Sequence, residues 1–118
     1  MERLLLIEPH LLFRESLALL LEWRTGLGSF RAGSLAEARG ILEEELDKPA
    51  CVVVDLDLPQ EEGTEVIEEL DGVPVLALIG SRNLKRRTEA MRLGADEVLS
   101  TSGPVERISA AVERLVGR

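Results

Sequence analysis

The chain has one cysteine, one histidine and no apolar run long enough to cross a bilayer, and each shortage removes a class of protein. A lone Cys51 cannot close an internal disulfide. Its place at the head of an apolar run makes it a small core residue rather than a reactive thiol. The start, MERLLLIEPH, carries neither a basic stretch ahead of its apolar residues nor a small-residue cleavage site, so it reads as a first strand and not as a secretion signal. No segment approaches the roughly 20 apolar residues of a membrane helix, and a cytoplasmic protein is expected. Positive charge is short too: 14 Lys and Arg against 22 Asp and Glu leave a net charge of -8, which argues against general binding of phosphate backbones.

Two chemistries lack their signatures. Glu8-Pro9-His10 follows the first apolar run, and there is no glycine-rich turn there to bring the backbone up to a pyrophosphate, as a dinucleotide-binding unit requires. The single histidine, His10, has no nucleophile elbow to serve. It is predicted to be a surface residue of the first helical turn, with no metal role.

What is present is a chain of 118 residues, 45% hydrophobic and 31% charged, enough for one domain around one core. Residues 4–7 form an apolar run, with Pro9 expected at the first helical position behind it. Phe13, Leu17, Leu20 and Leu21 recur at helical spacing to about Trp23, and Gly26 and Gly28 end that helix. A short strand is predicted over 29–33. Ser34 with Glu37 reads as a capping box for a helix turning Leu35, Ala38, Leu42 and Leu46 inward until Lys48-Pro49 stops it. Cys51-Val52-Val53-Val54-Asp55 is a third strand, 59–63 a loop, and Thr64 to Leu70 a short helix. Residues 75–79 make a fourth strand and Gly80-Ser81 a turn. Leu84, Thr88 and Met91 mark the inner stripe of a helix, 96–100 a fifth strand, and Val105, Ile108, Val112 and Leu115 stripe the last helix.

Strands that are apolar throughout, without alternation, are covered on both faces, which is the parallel doubly wound arrangement. With right-handed crossovers the usual order is 2-1-3-4-5, and it opens a crevice between the carboxyl ends of the first and third strands. Glu8 and Asp55 both fall there.

The run Glu8-Pro9-His10-Leu11-Leu12-Phe13-Arg14-Glu15-Ser16-Leu17, then Asp55-Leu56-Asp57-Leu58-Pro59 with Gly63, then Leu93-Gly94-Ala95-Asp96 resembles the response-regulator receiver domain over essentially the whole chain. It is most similar to receivers of helix-turn-helix regulators, whose first helix commonly reads D-D-H-P-L-F-R-E-G-L. The resemblance implies a flavodoxin-like, CheY-like, three-layer fold with five helices. It also implies a phosphoacceptor at Asp55, whose carboxylate attacks a phosphoryl group and becomes an acyl phosphate while Mg²⁺ and a cation opposite it neutralise the phosphoryl oxygens.

Against that implied site, several positions are substituted. Pro9 stands where an acid ordinarily ligates the metal, Ile79 where a hydroxyl binds the phosphoryl group, Val98 where an aromatic switch residue sits, and Thr101 where a lysine supplies the cation. Glu8 keeps an acid, and Asp57 offers a carbonyl and a carboxylate, so any metal set is Glu8, Asp55 and Asp57, weak or absent. Lys85 or Arg82 are substitute cations for a minority reading. The bland reading of Asp55 is an inherited acid in a crevice that Ile79 and Pro9 have made more apolar.

The expected function is therefore an atypical receiver in two-component-type signalling. It binds protein, is not an enzyme in its own right, needs no cofactor, and has an impaired or absent phosphorylation switch. The alternative is a working phosphoacceptor, phosphorylated at Asp55 by a histidine kinase with Mg²⁺. A small-molecule sensor has no positive signature. Expected partners are a histidine kinase or downstream regulator, with neither nucleic acid nor membrane. No effector domain is expected within residues 1–118. Charge separates along the chain: from Glu43 to Asp71 Lys48 is the sole base, whereas Arg82, Lys85, Arg86, Arg87 and Arg92 form a cluster interrupted only by Glu89. In receivers the face of the fourth helix, fifth strand and fifth helix commonly pairs. Here it would set Arg86, Arg87 and Arg92 against Asp96, Glu97, Glu106 and Glu113 of a second copy.

Overall fold

The computed structural model describes residues 2–58, 62–80 and 84–117. Pro59, Ser81, Arg82 and Arg118 lie outside the described residues, and with them the loop and turn expected around 59 and 81 and the substitute cation at Arg82.

Ten elements alternate: β1 (Arg3–Ile7), α1 (Leu11–Thr25), β2 (Gly28–Ala32), α2 (Leu35–Glu44), β3 (Cys51–Asp55), α3 (Glu62–Glu69), β4 (Val75–Ile79), α4 (Leu84–Leu93), β5 (Glu97–Ser100) and α5 (Val105–Val116). The strands are all parallel in the order β2-β1-β3-β4-β5, as expected. Side chains alternate across each strand, so one sheet supplies two cores. Leu5, Ile7, Val52, Val54, Val75, Ala77 and Ile79 face α2, α3 and α4, while Leu4, Leu6, Cys51, Val53, Leu76 and Leu78 face α1 and α5. Burial of Cys51 in the second core pushes its thiol up to about 12, which leaves it un-ionised and unreactive at neutral pH.

Local chemistry sets most boundaries. Gly26, at φ 75, takes the left-handed cap of α1, and the Thr25 hydroxyl closes the last turn by donating to the Leu21 carbonyl at 2.7 Å. Ser34 accepts from the Glu37 N–H at 3.2 Å, and the Glu37 carboxylate reaches back to the Gly33 N–H at 2.9 Å, one residue beyond the usual capping-box partner.

Four sequence expectations give way. The first helix starts at Leu11 with an extended His10 as its cap residue, so Pro9 precedes the helix instead of opening it. The α3 helix begins at Glu62, inside the expected loop. The chain leaves α2 at an extended Glu45, so Leu46 is fully exposed and not a core residue. On α4, Leu84, Thr88 and Met91 face solvent, and Ala90 with Leu93 packs on the core. The helix is turned by two residues, about 200°, relative to the apolar stripe. The small Ala90 side chain lets the helix settle closely on the sheet, and Arg86, half-buried one turn before it, hides that face from a hydrophobicity reading.

Candidate functional site

The crevice forms where β1 and β3, neighbours in the sheet, end together. The Glu8 N–H donates to the Ala32 carbonyl at 2.9 Å, which extends the β1–β2 ladder by one residue and fixes Glu8 with its side chain fully buried, 0% exposed. Asp55 ends β3 and is 4% exposed, its neighbour Leu56 donating to the Leu78 carbonyl at 2.8 Å. Two carboxylates thus meet at the edge of an apolar core.

Each is held by a short backbone loop. Oδ1 of Asp55 accepts from the Asp57 N–H at 2.8 Å. Oε1 of Glu8 accepts from the His10 N–H at 3.0 Å and lies 2.6 Å from His10 Nδ1. Residues 8 and 10 are two apart across an extended segment that Pro9 stiffens, so their side chains leave the backbone on the same side.

The electrostatics follow from that geometry. Burial, and then the facing Glu8 carboxylate, push Asp55 up to about 7 against the pull of the Asp57 N–H and of His10. The hydrogen bond to Glu8 and its charge raise His10 above its ordinary value.

Asp57, which is exposed, turns its carboxylate to the Gly80 N–H at 2.9 Å. Thr101 is half-buried and directs its hydroxyl at the Ile79 carbonyl, 3.4 Å away. A depression of about 330 Å³ is lined by His10, Phe13, Asp55, Asp57, Gly80 and Thr101. Ile79 and Pro9 are not among these lining residues: Ile79 is 2% exposed within the core, and the apolar wall is Phe13. Val98 is likewise a core residue. Lys85 lines a separate surface hollow with Leu84, Thr88, Glu89 and Arg92.

On the α4–β5–α5 face, Arg87 and Arg92 are exposed and Arg86 half-buried. Asp96 accepts from the Val75 N–H at 2.7 Å, and Glu97 takes two bonds from Arg114 at 2.8 and 3.0 Å. Glu113 pairs with Arg24 of α1 at 2.7 Å and so points to the α1 side of α5. Glu106 is exposed.

His10 is the site residue that sequence reasoning missed. Its signal is the Glu-Pro-His spacing, which puts an imidazole beside the acid that follows the first strand.

A doubly wound sheet of this order, with an aspartate ending its third strand opposite an acid after its first, defines a signalling domain of the receiver type. The chain belongs to the response regulator receiver domain family, which it matches over residues 4–113. It is 34% identical over 103 residues to the KDP operon transcriptional regulatory protein KdpE of Escherichia coli (strain K12), covering 85% of this chain and 44% of that protein. The chain spans about half the length of the curated relatives it matches. Among solved structures it is similar to a response regulator receiver domain protein from Clostridium thermocellum, with a TM-score of 0.86 at 24% identity, covering 100% of this chain and 96% of that one. A Burkholderia pseudomallei response regulator, described with a phosphorylated aspartic acid, a calcium ion and citrate, superposes with a TM-score of 0.83 at 27% identity, covering 99% of this chain and 69% of that one.

The family implies Mg²⁺, an ion that takes near-octahedral oxygen donors. The residues here meet that requirement only in part: Glu8 and Asp55 offer carboxylate oxygens and Asp57 a backbone carbonyl. Pro9 brings no side-chain oxygen, the Asp57 carboxylate is engaged by Gly80, and an imidazole nitrogen stands at the third corner beside Glu8 and Asp55.

Proposed function

We propose that the chain is an atypical receiver domain that acts by binding protein, with its Asp55 phosphorylation switch impaired or lost. The observation that carries this reading is the Glu8–His10 contact of 2.6 Å. It engages the one acid left at the implied metal position with a base instead of leaving it for Mg²⁺. Thr101 adds to it: a neutral hydroxyl on a backbone carbonyl supplies no charge to a phosphoryl group.

On this reading the domain is not an enzyme, works in the cytoplasm and meets a histidine kinase or a downstream regulator. Its acidic balance argues against direct contact with nucleic acid, and no described helix is long and apolar enough to cross a membrane. A second copy is a further partner through α4, β5 and α5, with Arg87 and Arg92 as the donors least committed within the chain.

The second reading, a working phosphoacceptor, is favoured by one observation: Asp55 lines an open depression that a phosphoryl donor can enter. Calorimetric titration with Mg²⁺ separates the two. Binding far weaker than in an ordinary receiver is expected, and binding of ordinary strength would support the second reading.

A further inference from the structure

We propose that the groove between the ends of α2 and α3 docks a basic amphipathic helix of a protein partner. The groove, about 520 Å³ in volume, opens where these two helices run out and β3 and β4 begin, at the opposite end of the strands from Asp55. Leu42, Pro49, Leu70 and Val73 give it an apolar lining, and Leu46 stands beside them with its side chain wholly in solvent. A hollow of this size with a bulky apolar side chain left uncovered in its wall is suited to receiving another surface.

Charge complementarity names the chemistry of that partner. Five acids line the groove against two bases. Both bases are engaged within the chain: Arg39 pairs with Glu65 at 3.3 Å and with Glu69, and the Lys48 ammonium donates to the Asp71 carbonyl at 3.0 Å. The helix ends add to the excess of negative charge, because α2 and α3 both finish at the groove with the negative ends of their dipoles. Neither has a base in its last turn, whereas Arg24, Arg92 and Arg114 occupy the last turns of α1, α4 and α5. Lysines or arginines of a partner supply the positive charge that this end of the domain lacks.

The lining also sets the partner's form. Every lining residue comes from a helix or a connecting loop, so no strand edge is offered for pairing. A segment seated there must satisfy its own backbone N–H and C=O groups, as a helix does. Its apolar residues at i, i+4 and i+7 cover Leu42, Leu46 and Leu70, and its flanking bases face Glu43 and Glu45. The inference rests on the reading of the domain as a protein binder but not on the state of Asp55. A phosphate adduct on Asp55 would sink the loss of the switch and leave the groove untouched.

The experiment uses the full chain without Mg²⁺ or a phosphoryl donor. The probe is a fluorescein-labelled peptide of leucine, alanine and lysine, about 18 residues long so that it forms a helix, with its leucines on one face. Fluorescence anisotropy at about 0.15 M salt should show saturable binding of one peptide per chain. Burial of a leucine is worth about tenfold or more in affinity, so Leu46→Ser should weaken binding about tenfold. Glu43→Lys with Glu45→Lys should weaken it as well and flatten its dependence on salt. All three residues are exposed, so the variants keep the fold, which circular dichroism checks. Leu12→Ser removes an exposed leucine from α1 and should leave the affinity unchanged. Absence of binding, equal binding of a peptide of the same composition with its leucines scattered, or equal weakening by Leu12→Ser and Leu46→Ser would overturn the proposal. Self-association of the chain that Leu46→Ser abolishes in sedimentation would assign the groove to a second copy and overturn it too.

Discussion

Gly80 and Asp57 exclude one another's alternatives: the Gly80 N–H donates to Asp57 Oδ2 at 2.9 Å, and that same oxygen occupies the space a side chain at position 80 would need. The glycine therefore ties the Asp57 carboxylate to its own amide at the rim of the depression that both residues line. Gly80→Ala would swing this exposed carboxylate away from the amide. The lost bond, about 1 kcal/mol, is offset by the entropy that alanine removes from the unfolded chain, about 0.4–1 kcal/mol. Stability in urea should therefore change by less than about 1 kcal/mol, while affinity for Mg²⁺ rises because an oxygen donor is released. Unchanged Mg²⁺ affinity in a folded Gly80→Ala chain would contradict this role.

The crevice also sets a pH dependence. Asp55 sits at about 7 in the fold against an ordinary 3.8, so across that interval the folded chain keeps a proton that the unfolded chain gives up. Stability attributable to Asp55 falls as pH rises between about 4 and 7 and is flat above. The raised His10 acts in the same direction, its pairing with Glu8 being complete below 6.5 and lost as pH rises through the folded value. Glu22 and Glu69 are lowered by Ser29 and Arg39, so they oppose this only below about 4.5. Thermal melts in chelator should therefore show a transition temperature that declines from pH about 5 to about 8. In Asp55→Asn the decline should be shallower. A steeper decline in the variant would contradict the assignment.

The sheet order and the position of Asp55 were legible because they depend on uninterrupted apolar runs such as Val52 to Val54, which admit few arrangements. Leu46 and the α4 stripe were misread because apolar residues need not face inward: Leu46 lies past an extended Glu45, and Ala90 outcompetes Met91 for the sheet by being small. The pairs that shape the site, Glu8 with His10 and Asp57 with Gly80, arise from loop conformation and have no periodic signal.

Restoring the missing groups tests the placement around one crevice. Ile79 is buried, so Ile79→Thr brings a hydroxyl into the core and should cost roughly 1–3 kcal/mol by itself. The informative variant is therefore Pro9→Asp, at a half-buried position beside the crevice. It should gain Mg²⁺ affinity by calorimetry, because it adds a carboxylate donor. A folded Pro9→Asp chain that binds Mg²⁺ no better would show that position 9 does not serve one site with Asp55.

Self-association through α4, β5 and α5 should be weak. Glu97 and Glu113 already pair with Arg114 and Arg24, which leaves the exposed Glu106 as the clearest acid for the bases of a second copy. Sedimentation at low ionic strength should detect a dimer that dissociates as salt shortens the screening length. Arg87→Glu with Arg92→Glu should abolish it. A monomer at every ionic strength would contradict the pairing.

The central claim is that Asp55 is not an efficient phosphoacceptor, because Pro9, Ile79 and Thr101 stand where the family places a metal-ligating acid, a hydroxyl and a lysine. Loss of one preorganised electrostatic donor alone costs about a hundredfold in rate. Intact-mass spectrometry after incubation with Mg²⁺ and acetyl phosphate, beside Asp55→Asn, reads this directly. The account predicts no phosphate-sized adduct beyond that of the variant. A stoichiometric, Mg²⁺-dependent adduct absent from Asp55→Asn would contradict it.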